Sequence, residues 1–201
     1  MDISDLEHIK KETSVSPIAK GGSNFEIQIL YKVSNHKFQI KPTLGYSLFC
    51  GVFVLIPAVI IGFGIHKYLE TGNFDFLIDE WFMVLWLILF STATIKILIN
   101  FFTPIVFDKS INRFYKGFHK DKTKIRKDLI RLSDIVAIQI IGEIIEDDDS
   151  KFNSFELNIV LSNTSRINIT DHNNLKGIIA DAETLSKFLD IPIWHAASNK
   201  T

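Results

Sequence analysis

Two apolar blocks dominate the hydrophobic pattern. Pro42 to His66 runs for 25 residues without an Asp, Glu, Lys or Arg, and Trp81 to Phe107 carries only Lys96 until it ends. Each block can supply a helix of about 20 residues, near 30 Å at 1.5 Å per residue, which matches a bilayer core. The expected spans are Leu44–Ile65 and Trp81–Phe102, with a short external loop over 66–80. Pro57 is expected to kink the first helix by freeing the carbonyl of Phe53. Ser47 with Gly51, and Ala58 with Gly62, form small-xxx-small pairs that could seat the second helix. Lys96 has no intramembrane carboxylate partner in either block, so it reads as a lysine that snorkels to the headgroups.

Outside the blocks the period changes. Phe25, Ile27, Ile29, Tyr31 and Val33 alternate with Glu26, Gln28, Leu30 and Lys32, the pattern of a half-buried strand. Ser34-Asn35-His36 makes a turn into a second strand over Lys37–Lys41. Residues 24–42 are thus a β-hairpin, and residues 1–23 read as a mobile polar tail. After the second block, strands are expected at Pro104–Asp108, Asn112–Gly117, Ile125–Leu132, Ile135–Glu143, Ser154–Leu161 and Arg166–Thr170, with Asp147–Ser150 as a loop. Leu175, Ile178, Ile179, Ala182, Leu185, Phe188 and Leu189 then fall on one face at helical spacing. Asp171 to Asn174 offers N-caps, and Pro192 stops the helix. Residues 195–201 read as a tail.

The sum is an α+β membrane protein, with a transmembrane helical hairpin and an antiparallel β-domain over 104–194 capped by a C-terminal helix. One apolar helix face requires one concave apolar sheet face, which is a pleckstrin-homology-like (PH-like) arrangement. From residues alone it stays open whether strands 24–42 join that sheet.

Charge sets orientation. Lys10, Lys11, Lys20, Lys32, Lys37 and Lys41 precede the first span, and Lys109, Arg113, Lys116 and Lys120 follow the second. The connecting loop has Lys67 against Glu70, Asp75, Asp79 and Glu80. The positive-inside rule therefore puts both termini in the cytoplasm. The first span begins some forty residues in and is expected to act as an uncleaved anchor. The expected location is a bacterial inner (cytoplasmic) membrane, multi-pass. The formal net charge of -1 argues against a nucleic-acid partner, and a single Cys excludes an intramolecular disulfide framework.

Candidate chemistry is sparse. The six His show no metal-ligand spacing, and no P-loop or nucleophile elbow is present. An EF-hand loop begun at Asp147 would need Gly at Phe152 and Glu at Asn158, so it fails. No catalytic residue, cofactor or metal is expected, and the chain is read as not an enzyme. One stretch stands out: nine basic residues between Lys109 and Arg131, opposed by Asp121 and Asp128. Within it Lys116, Lys120, Lys122, Lys124, Arg126, Lys127 and Arg131 form a candidate patch for anionic lipid headgroups or a partner. The same residues also serve as a solvated hairpin tip that fixes topology.

Three segments carry a resemblance: Phe107-Asp108-Lys109 up to Gly117, Leu132 to Gln139, and Leu185 to Trp194 (LSKFLDIPIW). They resemble small bacterial membrane proteins with two transmembrane helices and a cytoplasmic PH-like domain. The layout is similar to that of the photosystem I assembly factor of plastids and cyanobacteria. The resemblance implies that fold and a non-catalytic helper role; the N-terminal strands depart from the plastid pattern, and no photosynthetic function is carried over. Two functions fit: an assembly or adaptor factor with an unknown protein partner, or an immunity protein that neutralises a membrane-acting toxin by direct binding.

Overall fold

A computed structural model describes residues 2–18, 24–117, 130–147 and 150–197. The chain divides into two compact units, Pro42–Thr103 and the pair of flanking segments Met1–Lys41 and Pro104–Thr201.

The first unit is helical. α2 (Leu44–Thr71) and α4 (Trp81–Phe101) are both long and apolar enough to cross a membrane, with a short helix α3 (Phe76–Asp79) between them. The Thr43 side chain accepts the Tyr46 N–H to start α2, and Gly72, at φ 71°, closes it. A left-handed cap favours Gly because it has no Cβ to clash. α2 thus ends at Thr71, beyond the Ile65 expected from hydropathy, and the added turns include a His66–Glu70 contact at 3.4 Å. The loop expected over 66–80 is correspondingly shorter. α2 runs through Pro57, and the Phe53 carbonyl that Pro57 cannot pair receives the Thr94 hydroxyl of α4 at 2.6 Å. A buried side chain of α4 so satisfies the backbone group that the proline leaves open. Most other large side chains of these helices, such as Leu48, Leu55, Val59, Leu85 and Leu89, are exposed.

The second unit holds two sheets. In the first, β1 (Gln28–Ser34), β2 (Lys37–Pro42), β3 (Ile105–Asp108), β4 (Arg113–Lys116) and β5 (Ile130–Arg131) lie in sequence order. β2 pairs antiparallel with β3 from Lys37↔Asp108 to Ile40↔Ile105, so the helical unit is an insertion between two neighbouring strands. The N-terminal strands therefore belong to the sheet, and a domain over 104–194 alone would lack two of its strands. In the second sheet the order is β8 (Arg166–His172), β7 (Ser150–Leu161), β6 (Ile135–Asp147) and β9 (Ile193–Ala197). β9 runs parallel to β6, with Trp194 beside Gln139, where the sequence had suggested a tail from 195.

β6 and β7 are longer than their hydrophobic pattern indicated. Asp147 pairs with Ser150, and Lys151 bridges to Glu146 at 2.6 Å, so Glu146, Asp147 and Ser150 belong to the ladder; Asp148 and Asp149 of the expected loop lie outside the described residues. Of the strand expected at Ile125–Leu132, residues 125–129 lie outside the described residues, Ile130–Arg131 form β5, and Leu132–Asp134 forms a 3-10 turn. Arg131 Nε reaches Asp134 Oδ2 at 3.1 Å across that turn.

The core lies between the sheets and under α5 (Leu175–Leu189). Phe38, Ile40 and Phe107 from the first sheet meet Ile138, Leu157 and Ile159 from the second. On α5, Ile178, Ala182 and Leu185 are fully buried, and Phe188 packs edge-on against Phe38 with centroids 4.8 Å apart. Leu175, counted with that face by spacing, is 40% exposed at the helix start. Residue Asn174 caps α5 by accepting the Gly177 N–H. The segment 1–23 is not a bare tail: α1 (Ile3–Glu12) buries Ile9 against Val136, Ala137, Val160 and Trp194 of the second sheet. Its own pattern is weakly apolar, and this contact gives the helix a face to bury.

Candidate interaction site

The second sheet has an inner apolar face and an outer polar one. On the outer face, register sets Trp194, Gln139, Asn158 and Asn168 in one row across β9, β6, β7 and β8. The next row holds Ile141, Glu156 and Asp171. Alternating polar positions in a strand ordinarily mark a solvated face, yet Gln139, Glu156 and Asn158 are at most 2% exposed.

They are covered by the N-terminal segment. α1 ends where Thr13 donates both its N–H and its hydroxyl to the Ile9 carbonyl. The chain then continues without regular structure through Ser14–Ile18 over the polar rows. Gln139 Nε2 donates to the Ser14 carbonyl at 3.1 Å, and the Ile18 N–H donates to Glu156 Oε2 at 3.0 Å. Beneath, Asn168 donates to Asn158, Asn158 to the same Glu156 oxygen, and Arg166 to Gln139, at 3.1, 3.0 and 3.2 Å. Lys10 lies over the Trp194 ring at 5.9 Å. Buried polar groups need such partners, because an unmade bond costs about 1–3 kcal/mol. The sheet thus holds the arm through apolar contacts at one end and through its backbone at the other.

The same face concentrates negative charge. Burial, and then the charges of Glu156 and Asp171, push the Glu143 carboxyl above its ordinary range. Asp171 is raised by burial and by Glu156, with His172 acting in the opposite direction. One Glu143 oxygen, Oε2, is buried with no hydrogen-bond partner among the described residues.

A second titratable group ties β1 to α5. His172 is fully buried; its Nδ1 accepts the Asn174 N–H at 3.1 Å, which places the proton on Nε2, 3.9 Å from Glu26 Oε1. Burial lowers the His172 pKa. Asp181 of α5 accepts the Leu30 N–H at 3.3 Å and is raised to about 6, mainly by burial, with Glu26 adding to the rise.

Of the basic residues singled out by sequence, two are described. Lys116 is exposed on β4, its ammonium 3.4 Å from the Asn168 carbonyl, and desolvation lowers its pKa. Arg131 on β5 is paired with Asp134, and its register partner on β4 is Arg113. Lys120, Lys122, Lys124, Arg126 and Lys127 lie outside the described residues. Among the described residues, no group of three or more His, Cys, Asp or Glu is arranged to hold a metal ion. Neither the arm contact nor the pairing of Glu26 with His172 and of Leu30 with Asp181 was visible in the sequence, because both join residues more than a hundred positions apart.

No family model, no curated protein and no solved structure matches the chain. The class rests on the architecture: a mixed α+β chain with two long apolar helices inserted into the first of two sheets.

Proposed function

We propose that the chain is a non-catalytic integral membrane protein whose two-sheet domain is a PH-like interaction module, acting as an assembly or adaptor factor. The observation that carries this reading is the insertion of an apolar helix pair between β2 and β3. Water would oppose the exposed apolar faces of α2 and α4 at about 25 cal/mol per Å2, whereas hydrocarbon accepts them. Two sheets closed by a C-terminal helix support the PH-like reading. The lysine-rich flanks support a cytoplasmic position for that domain and for both termini. The outer face of the second sheet gives it a surface with ordered hydrogen-bonding groups, as a binding module needs.

Extraction and labelling test the reading. The protein should stay with membranes through alkaline carbonate. In a Cys50→Ala background, Gly72→Cys should react with an impermeant maleimide from outside intact cells, and Ser4→Cys only after permeabilisation. Release by carbonate, or labelling of Ser4→Cys in intact cells, refutes it.

A further inference from the structure

The N-terminal arm is held as a ligand is held. Its helix inserts Ile9 among Val136, Val160 and Trp194. Its extended part is gripped by one side-chain donor, Gln139, and one side-chain acceptor, Glu156, both aimed at backbone groups. Recognition through backbone groups is indifferent to the side chains of the bound segment. The gripping side chains are themselves fixed by Asn158 and Arg166, so the site is preorganised. Glu143, Glu156 and Asp171 share this face with Arg166 as a neighbouring cation, and a further positive charge brought by a ligand would ease their mutual repulsion.

We propose that the outer face of the second sheet is a binding site for a peptide segment of another protein, a short helix with an apolar face at one end and an extended basic stretch at the other, and that the arm occupies it in cis as an internal competitor. The proposal deepens the interaction-module reading and rests on it. A tethered arm faces its site at an effective concentration in the millimolar range. A partner must therefore displace it, and the arm sets the threshold for binding.

The test uses the full chain in detergent with a dye-labelled synthetic peptide of residues 2–18, followed by anisotropy. Ile9→Asp should detach the arm, and a chain lacking residues 2–18 removes it outright. Both should bind the peptide saturably, and the wild-type chain at least about tenfold more weakly, because its own arm competes. Two lysines added after Ile18 of the peptide should tighten binding and two glutamates weaken it. Glu156→Gln should shrink that difference, and so should rising salt. Equal binding by wild-type and arm-less chains, no saturable binding by either altered chain, or indifference to the added charge overturns the proposal. A wild-type dimer that dissociates on arm removal would assign the site to a second copy's arm and overturn it too. These results are independent of carbonate extraction and maleimide labelling, so either reading can fail alone.

Discussion

Replacing Asp181 by Asn should stabilise the two-sheet unit at neutral pH and not at acid pH. Asp181 sits on α5 beside β1, half-buried, with the Leu30 N–H on its Oδ2 at 3.3 Å. Burial opposes its charge, the Leu30 hydrogen bond favours it, and Glu26 opposes it again, which leaves the carboxyl at about 6 instead of the ordinary 3.8. A carboxyl raised in the folded state binds its proton more tightly there than in the unfolded chain. Stability therefore falls as pH rises from about 4 to about 6, and the full penalty applies above that window. The undiscounted difference corresponds to about 3 kcal/mol. Solvent reaches part of the side chain, so about 1–2 kcal/mol is the expected size. Asn keeps an oxygen for the Leu30 N–H and cannot ionise.

The assay is equilibrium urea unfolding of the full chain in detergent, read from Trp194 in a Trp81→Phe, Trp86→Phe background, at several pH values from 4 to 8. The Asn variant should gain about 1–2 kcal/mol at pH 7.5 and nothing near pH 4. His172 titrates in the opposite sense: its lowered pKa gives stability that is present above about 6.5 and lost as pH falls. It is present in both proteins, so their difference isolates Asp181. A difference that does not change with pH would show that ionisation is not the cause. A loss of stability at pH 7.5 would show that the carboxylate charge holds β1 in place, against the reasoning here.

Three further outcomes follow from the packing and the chain path. Leu185→Ala removes a fully buried side chain from the core and should cost about 2–5 kcal/mol in the same urea assay; a loss under 1 kcal/mol would mean that the site collapses around the smaller residue. Joining Lys41 to Pro104 through Asn-Gly should give a folded, water-soluble domain, because Ile40 and Ile105 are already paired, whereas Pro104–Thr201 alone should fail the same circular-dichroism melt; a cooperative melt of the shorter piece would contradict the pairing of β2 with β3. That joined domain should bind anionic vesicles and release them as salt rises, and replacing Lys120, Lys122, Lys124, Arg126 and Lys127 by Gln should abolish binding; indifference to lipid charge would leave the basic run to topology alone.

What the sequence made legible is what local periodicity encodes. The apolar blocks of α2 and α4 exceed any ordinary core helix, and α5 carries its buried stripe at Ile178, Ala182, Leu185 and Phe188. The strands β2, β3, β4, β6, β7 and β8 announce themselves by β-branched and aromatic runs; β1 does so too, but with its faces reversed, since Ile29, Tyr31 and Val33 are exposed and Leu30 packs on the core. α1 does not: Leu6 and Ile9 are a thin stripe in a polar decapeptide, and its partners on β6, β7 and β9 lie over a hundred residues on. β9 is equally silent, since Trp194 and His195 become a strand only through the parallel ladder with β6.

The polar face of the second sheet shows why such a site escapes local reading. Gln139, Glu156, Asn158 and Asn168 alternate with apolar residues as they would on a strand washed by solvent. Alternation reports which residues avoid the core and is blind to what lies over them. Glu156 is almost fully buried, and one of the groups that meet it, the Ile18 N–H, comes from 138 residues away. The Ile18 N–H adds to the Asn158 amide already on that oxygen, so the arm completes a hydrogen-bonded row that the sheet itself begins. A polar strand face acquires its meaning from the segment that covers it, and here that segment is joined to the domain by its own chain, where another chain's segment can compete for the same hydrogen bonds.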